Sequence, residues 1–175
     1  ATDQMTLTVN PLPQANAGPD HLVCAGVSVV LEGSGGTSYV WSPSTYLDNA
    51  NAQLPIATAE TTTTYTVTVT DNNQCSNTDQ VTVTVNPLPI VDAGLDSLIC
   101  PNASLILHAT GANTYLWSPL VGLSDPQSAN PAASPLQETT YIVTGTDANG
   151  CVNSDSVNIS IFGVAANSGD YVLCL

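Results

Sequence analysis

Thr63-Thr64-Tyr65-Thr66-Val67-Thr68-Val69-Thr70 alternates with a period of two, setting Tyr65, Val67 and Val69 on one face and Thr64, Thr66 and Thr68 on the other. Such alternation is the pattern of a half-buried β-strand. The stretch returns 76 positions later as Thr139-Thr140-Tyr141-Ile142-Val143-Thr144-Gly145-Thr146. Its surroundings return with it and without a gap. Asn10-Pro11-Leu12-Pro13 reappears as Asn86-Pro87-Leu88-Pro89, Cys24 as Cys100, Trp41-Ser42-Pro43 as Trp117-Ser118-Pro119, Asp71 as Asp147 and Cys75 as Cys151. Self-similarity at one fixed period is the mark of a repeat array.

The flanks carry the same pattern in part. Thr2-Asp3-Gln4-Met5-Thr6-Leu7-Thr8-Val9-Asn10 matches Thr78 to Asn86, so residues 1–9 read as the last strand of a preceding repeat. Asp170-Tyr171-Val172-Leu173-Cys174 resembles Asp96 to Cys100, so residues 163–175 read as the first strand of a following one. Between them lie repeat 1, residues 10–86, and repeat 2, residues 87–162. The chain is expected to be a window of a longer array or a protomer whose ends neighbours complete. With no initiator Met, signal peptide or long apolar run, its N-terminus reads as processed or truncated.

Within repeat 1, short strands are expected near His21 to Cys24, Ser28 to Leu31, Ser38 to Trp41, Gln53 to Thr58, Thr63 to Thr70 and Asp79 to Val85. Turn residues separate them: Gly18-Pro19-Asp20, Gly33-Ser34-Gly35-Gly36, the Asn- and Ser-rich run after Pro43, and Asp71-Asn72-Asn73-Gln74. Two prolines in Asn10-Pro11-Leu12-Pro13 remove ladder donors and mark a stiff inter-domain hinge. Short strands at this spacing, one Trp in mid-repeat and a Tyr opening a late strand predict an all-β, immunoglobulin-like sandwich in tandem. Trp41 and Trp117 should point inward, and Tyr65 and Tyr141 are candidates for a tyrosine corner.

Charge excludes several functions. The 175 residues hold no Lys or Arg against 14 acidic residues, a net charge of −14. A chain without cations cannot neutralise phosphates or anionic headgroups, which excludes nucleic-acid binding and basic-patch membrane attachment. Lysine-dependent chemistry is excluded with them, and trypsin-like proteases find no cleavage site. Hydrophobic content of 43% is ample for packed cores.

The 5 cysteines are Cys24, Cys75, Cys100, Cys151 and Cys174. The first four form two equal intervals, one per repeat, which favours Cys24–Cys75 and Cys100–Cys151 disulfides and leaves Cys174 unpaired or inter-chain. Closing a loop of that length contributes about 4 kcal/mol in the chain-entropy treatment. Paired cysteines without CxxC metal spacing imply an oxidising, extracytoplasmic compartment.

Taken together, the motifs Asn-Pro-Leu-Pro, Asp-Ala-Gly before Cys100, Tyr-Leu-Trp-Ser-Pro, Gly122-Leu123-Ser124-Asp125-Pro126 and Thr-Thr-Tyr-Thr-Val-Thr-Val-Thr-Asp resemble the PKD-like, Ig-like tandem repeats of secreted Bacteroidota surface proteins. That group includes gliding-motility-associated adhesins exported by the type IX system. The resemblance covers nearly the whole chain and implies an extracellular stalk or adhesin. One departure is that PKD domains proper carry W-x-F-G-D-G, whereas Trp41 and Trp117 are followed by Ser-Pro.

No catalytic constellation is legible. The 2 histidines sit at non-equivalent places, His21 opposite Ser97 and His108 opposite Glu32 at the repeat offset. Asp71, Asp92, Asp96 and Asp147 are Ca²⁺ candidates by ligand type, although Asp and Asn are also ordinary turn residues and EF-hand spacing is missing. Asp96-Ser97-Leu98 and Asp155-Ser156-Val157 fit the Bacteroidota O-glycosylation pattern at Ser97 and Ser156, and Asn102 and Asn158 open N-linked sequons. The expected function is a non-catalytic segment of a cell-surface fibre or adhesin, needing no cofactor. Its expected partners are neighbouring repeats or like protomers, with a surface glycan or protein as ligand. A filament subunit exchanging terminal strands, a carbohydrate-binding module with exposed Trp rings and an accessory domain of a secreted hydrolase are the alternatives.

Overall fold

The computed structural model describes residues 3–162. The chain divides into two compact units between Pro87 and Leu88. Each has its own hydrophobic core.

In the first unit, β1 (His21–Cys24), β3 (Ser38–Ser42), β5 (Thr63–Thr70) and β6 (Ser76–Asn86) form one sheet in the order β1-β6-β5-β3. The pairs are antiparallel except β1 with β6, which run parallel with Cys24 opposite Asn86. A second, two-stranded sheet joins β2 (Val29–Val30) to β4 (Ile56–Ala57). Both sheets face one core: Trp41, Tyr65, Val67, Val69, Val81 and Val83 come from the first, Ala57 from the second, and Leu31 from just after β2. A parallel first-to-last strand pair beside two antiparallel neighbours, faced by a small second sheet, is the immunoglobulin-like sandwich.

The alternation in Thr63–Thr70 is realised residue by residue. Tyr65, Val67 and Val69 are buried while Thr64 is exposed. Thr64 stands opposite Thr82 on β6, their hydroxyls 3.1 Å apart. Such cross-strand hydroxyl pairs hold register on a wet face. The Trp41 ring is 2% exposed, and its Nε1 donates to Ala52 O at 3.0 Å, so the indole is buried with its donor satisfied.

The second unit repeats this pattern at the same offset. β7 (Ser97–Ile99), β12 (Val152–Ile161), β11 (Thr139–Thr146) and β9 (Thr114–Ser118) form the larger sheet in that order, and β8 (Leu105–Ile106) pairs with β10 (Ala132–Ala133). Trp117, Tyr141, Val143, Val157 and Ile159 fill its core.

Two expectations change. The Pro-rich stretch is not a free hinge along its length: Pro13 and Pro89 are buried, and their carbonyls accept the side-chain amides of Asn77 and Asn153, both at 3.0 Å. Pro11 and Leu12, and likewise Pro87 and Leu88, stay exposed. Residues 3–10 form no strand; Met5, Leu7 and Val9 are 91, 79 and 81% exposed. Their alternation finds no sheet among the described residues. The strand expected within 163–175, and Cys174, lie outside those residues.

Candidate functional site

The most repeated polar geometry in each unit surrounds the turn before the last strand. Asp71 Oδ1 accepts the backbone N–H groups of Asn73 and Cys75 at 2.8 and 2.9 Å. Asp147 Oδ1 accepts those of Asn149 and Cys151, both at 2.8 Å. The position before each cysteine has positive φ, 63° at Gln74 and 79° at Gly150. One carboxylate thus closes the turn and presents a sulfur at the opening of β6 or β12.

The cysteines do not pair as the spacing suggests. Cys24, Cys100 and Cys151 are disulfide-bonded, whereas Cys75 carries a free thiol, so the expected Cys24–Cys75 bond is not formed. The reason lies in the strands. Cys75 precedes Ser76 at the opening of β6, and Cys24 is the register partner of Asn86 at its close. Eleven residues of strand separate them, about 33 Å, while a disulfide tolerates Cα atoms no further apart than about 7 Å. The expected Cys100–Cys151 pair fails likewise: Cys151 precedes β12, and Ile99, just before Cys100, faces Ile161 at its far end. Equal sequence intervals arise equally well when two cysteines mark opposite ends of one strand.

The four Ca²⁺ candidates act as backbone acceptors. Besides Asp71 and Asp147, Asp92 Oδ1 accepts Gly94 N–H at 2.8 Å, and Asp96 Oδ1 accepts Asn158 N–H at 2.7 Å. Among the described residues no three His, Cys, Asp or Glu side chains converge as a metal site. The geometry is that of turns and strand ends.

Asp79 and Asp155, which the sequence places in a strand and in a glycosylation pattern without a role of their own, are placed alike. Asp79 Oδ2 accepts Ala17 N–H at 2.9 Å, and Asp155 Oδ2 accepts Ala93 N–H at 2.8 Å. The Ala93 bond, reinforced by the Ser156 N–H, holds the Asp155 carboxyl below the usual carboxylate range against a smaller opposing effect of burial. Their signal was available: a carboxylate in mid-strand, where Asp is disfavoured, present in both copies.

Tyr65 OH donates to Thr45 O at 3.0 Å and Tyr141 OH to Val121 O at 2.8 Å. Each tyrosine therefore ties the late strand to the loop after the Trp strand, 20 residues upstream. Burial pushes both phenol pKa values up.

Other candidates stand apart. His108 Nδ1 meets Asn130 Oδ1 at 2.8 Å on the surface, with no nucleophile in the pair. Ser156 is exposed on β12; Ser97 is half-buried, its hydroxyl donating to Leu95 O at 3.2 Å. An open groove of about 610 Å³ on the second unit is lined by Pro119, Val121, Leu136, Gln137, Glu138 and Thr140. No aromatic ring lines it, and Trp41 and Trp117 are buried, so neither tryptophan offers a sugar-stacking surface.

The topology defines an all-β protein of two immunoglobulin-like sandwiches. No family model matches the sequence, and no curated protein matches it. Similar solved structures include the insect immune protein hemolin, at 13% identity over 91% of this chain and 49% of that one, TM-score 0.45. This chain thus spans about half of hemolin's length. The PKD domain of the KIAA 1837 protein is similar at 30% identity over 46% of this chain and 92% of that domain, TM-score 0.38. The N-terminal Ig1-2 module of the Drosophila receptor protein tyrosine phosphatase DLAR is similar at 9% identity over 87% of this chain and all of that module, TM-score 0.37.

Proposed function

We propose that this chain is a non-catalytic structural segment of an extracellular cell-surface fibre or adhesin stalk, built from repeats at 10–86 and 87–162. In this reading residues 1–9 and 163–175 are strands of neighbouring repeats, and the protein is exported like the type IX-secreted Bacteroidota adhesins its motifs resemble. The observation that carries it is how the polar side chains are used. Asp71, Asp79, Asp92 and Asp96, with their counterparts, are spent on backbone N–H groups that fix the fold, the same way in both units. None converge on a reacting centre, and two copies of such a unit supply length rather than chemistry.

Disulfide-bonded cysteines suit an oxidising exterior, and the acidic, cation-free surface suits a chain that stays solvated and apart from its neighbours. Antibodies raised against the folded chain should label intact, unpermeabilised producing cells. Label appearing only after permeabilisation overturns the reading.

A second reading, a filament subunit that exchanges terminal strands, draws on Met5, Leu7 and Val9. These exposed side chains belong to a segment whose counterpart, Val81 and Val83 of β6, lies in the core. Electron microscopy of the native material decides it: strand exchange gives a helical filament with a protomer of this length, and a contiguous polypeptide of many repeats does not.

A further inference from the structure

The two units are one fold built twice, so each serves as a control for the other. Thr45 and Val121 hold the same place, and their backbone carbonyls accept the phenols of Tyr65 and Tyr141 at 3.0 and 2.8 Å. The fold uses the backbone at this position and leaves the side chain to the surface. At that end the first unit carries Ser44, Thr45 and Glu60, all exposed. The second carries Leu120, Val121 and Leu136 instead, 63, 72 and 82% exposed. Since the polar set suffices to build the same sandwich, the apolar set is not a demand of folding. Val121 and Leu136 line the open groove of the second unit together with Pro119, Glu138 and Thr140. Single exposed apolar residues need no explanation, whereas several gathered in one groove mark a contact surface.

The charge around the groove selects its occupant. The exposed Glu138 carboxylate has one long contact, from the Asn158 side-chain amide at 3.4 Å, and is otherwise open to a stronger partner. No Lys or Arg exists in the 175 residues to supply that partner, so a Lys or Arg cation must come from another molecule. A second copy of the chain brings another −14 and is repelled on approach. Anionic lipid headgroups are repelled likewise, and no aromatic ring lines the groove for a sugar to stack on. A different protein carrying Lys or Arg beside an apolar side chain meets an attractive field and an apolar floor together.

We propose that this groove is a docking site for a short cationic, apolar segment of a partner protein. An apolar side chain of the partner packs on Pro119, Val121 and Leu136, and its neighbouring Lys or Arg pairs with Glu138. This deepens the reading of the chain as an adhesin segment by naming the class of partner, and it rests on that reading for the partner's presence outside the cell. Burying one leucine-sized side chain gives the contact most of its strength, and the exposed ion pair adds a smaller, salt-sensitive share.

The test titrates the full, isotope-labelled chain with a synthetic peptide of alternating Leu and Lys and follows backbone amide shifts. Peptides of alternating Ser and Lys, and of alternating Leu and Glu, serve as controls. The expected result is binding of the Leu-Lys peptide alone, with shifts confined to the groove around Val121, Leu136 and Thr140. Leu136→Glu, which installs the residue type of Glu60, should weaken it at least about tenfold. Glu138→Gln should weaken it about two- to fivefold at low salt and much less at high salt. Both variants should melt with the parent, because both side chains are exposed. Equal binding of the Ser-Lys peptide, shifts spread over both units, or unchanged affinity in Leu136→Glu overturns the proposal. Self-association of the chain that Leu136→Glu abolishes overturns it too, since the occupant is then a second copy. Peptide binding is read on purified protein and surface labelling on cells, so failure here is distinguishable from failure of the adhesin reading.

Discussion

Asp155 Oδ2 accepts the backbone N–H of Ala93 at 2.8 Å, joining residues 62 apart, and its counterpart Asp79 does the same for Ala17. The bond fastens the extended segment after the Pro-rich stretch to the middle of the last strand. It satisfies a backbone donor that no sheet partner reaches.

Because the Ala93 and Ser156 N–H groups lower the Asp155 pKa, this carboxylate favours the folded state whenever it is ionised. Its contribution is complete above the unfolded carboxylate range, about pH 4, and is lost as pH falls through the lower folded value. Asp155→Asn should melt lower than the parent at pH 7, and the two melting temperatures should converge in acid. A constant gap down to about pH 2 contradicts this.

Tyr141 is shifted the other way. Burial raises its pKa, so its stabilising contribution is present below the unfolded value, about pH 10, and is lost as pH rises through the folded one. Tyr141→Phe removes the bond to Val121 O and should cost about 1 kcal/mol near neutrality. In return its melting temperature should fall less steeply than the parent's above about pH 10. Equal alkaline slopes count against the assignment.

Trp117 is wholly buried, and its indole donates to Ser128 O at 3.1 Å. Trp117→Ala should cost about 3–5 kcal/mol, enough to unfold a small unit with its own core while the other unit stays folded. Fluorescence of the remaining Trp41 should keep its folded spectrum while circular dichroism loses about half its amplitude. Concerted loss of both signals runs against separate cores.

Gly35 and Gly111 occupy one place in the two copies, with φ of 102° and 88°. A Cβ there would run into the carbonyl oxygen of Gln14 in one unit and of Ile90 in the other. Gly111→Ala should therefore destabilise by more than the roughly 1 kcal/mol of a strained φ alone, visible as a drop of at least about 5 °C in the melting of the second unit. A neutral or stabilising outcome means the backbone there relaxes at little cost.

Much of the fold was legible because period and duplication are local signals. Thr63–Thr70 fell where the alternation placed it, with Tyr65, Val67 and Val69 inside, and both tryptophans pointed inward. Strand partnership was not legible, and the cysteines show why. Nothing in a sequence interval says that β1 runs parallel to β6, which carries Cys24 to the end of β6 opposite Cys75. The strands around Ile56 and Val29 shrank to two residues each, because bridges and turn bonds such as Leu31 N–H to Pro55 O take the rest of their backbone. The bonds of Asp79 and Asp155 were not legible because their partners lie 62 residues back. The Ca²⁺ candidates drew notice because carboxylates that close turns and carboxylates that bind metal look alike in one dimension.

Pulling single chains by their ends in the presence of reductant tests most directly whether this protein is a string of separately cored mechanical repeats. The account predicts two unfolding events of similar force, each releasing about 22 nm, the length of 76 extended residues less the folded span of one sandwich. One merged event of about twice that length, or gradual extension with no discrete event, contradicts it.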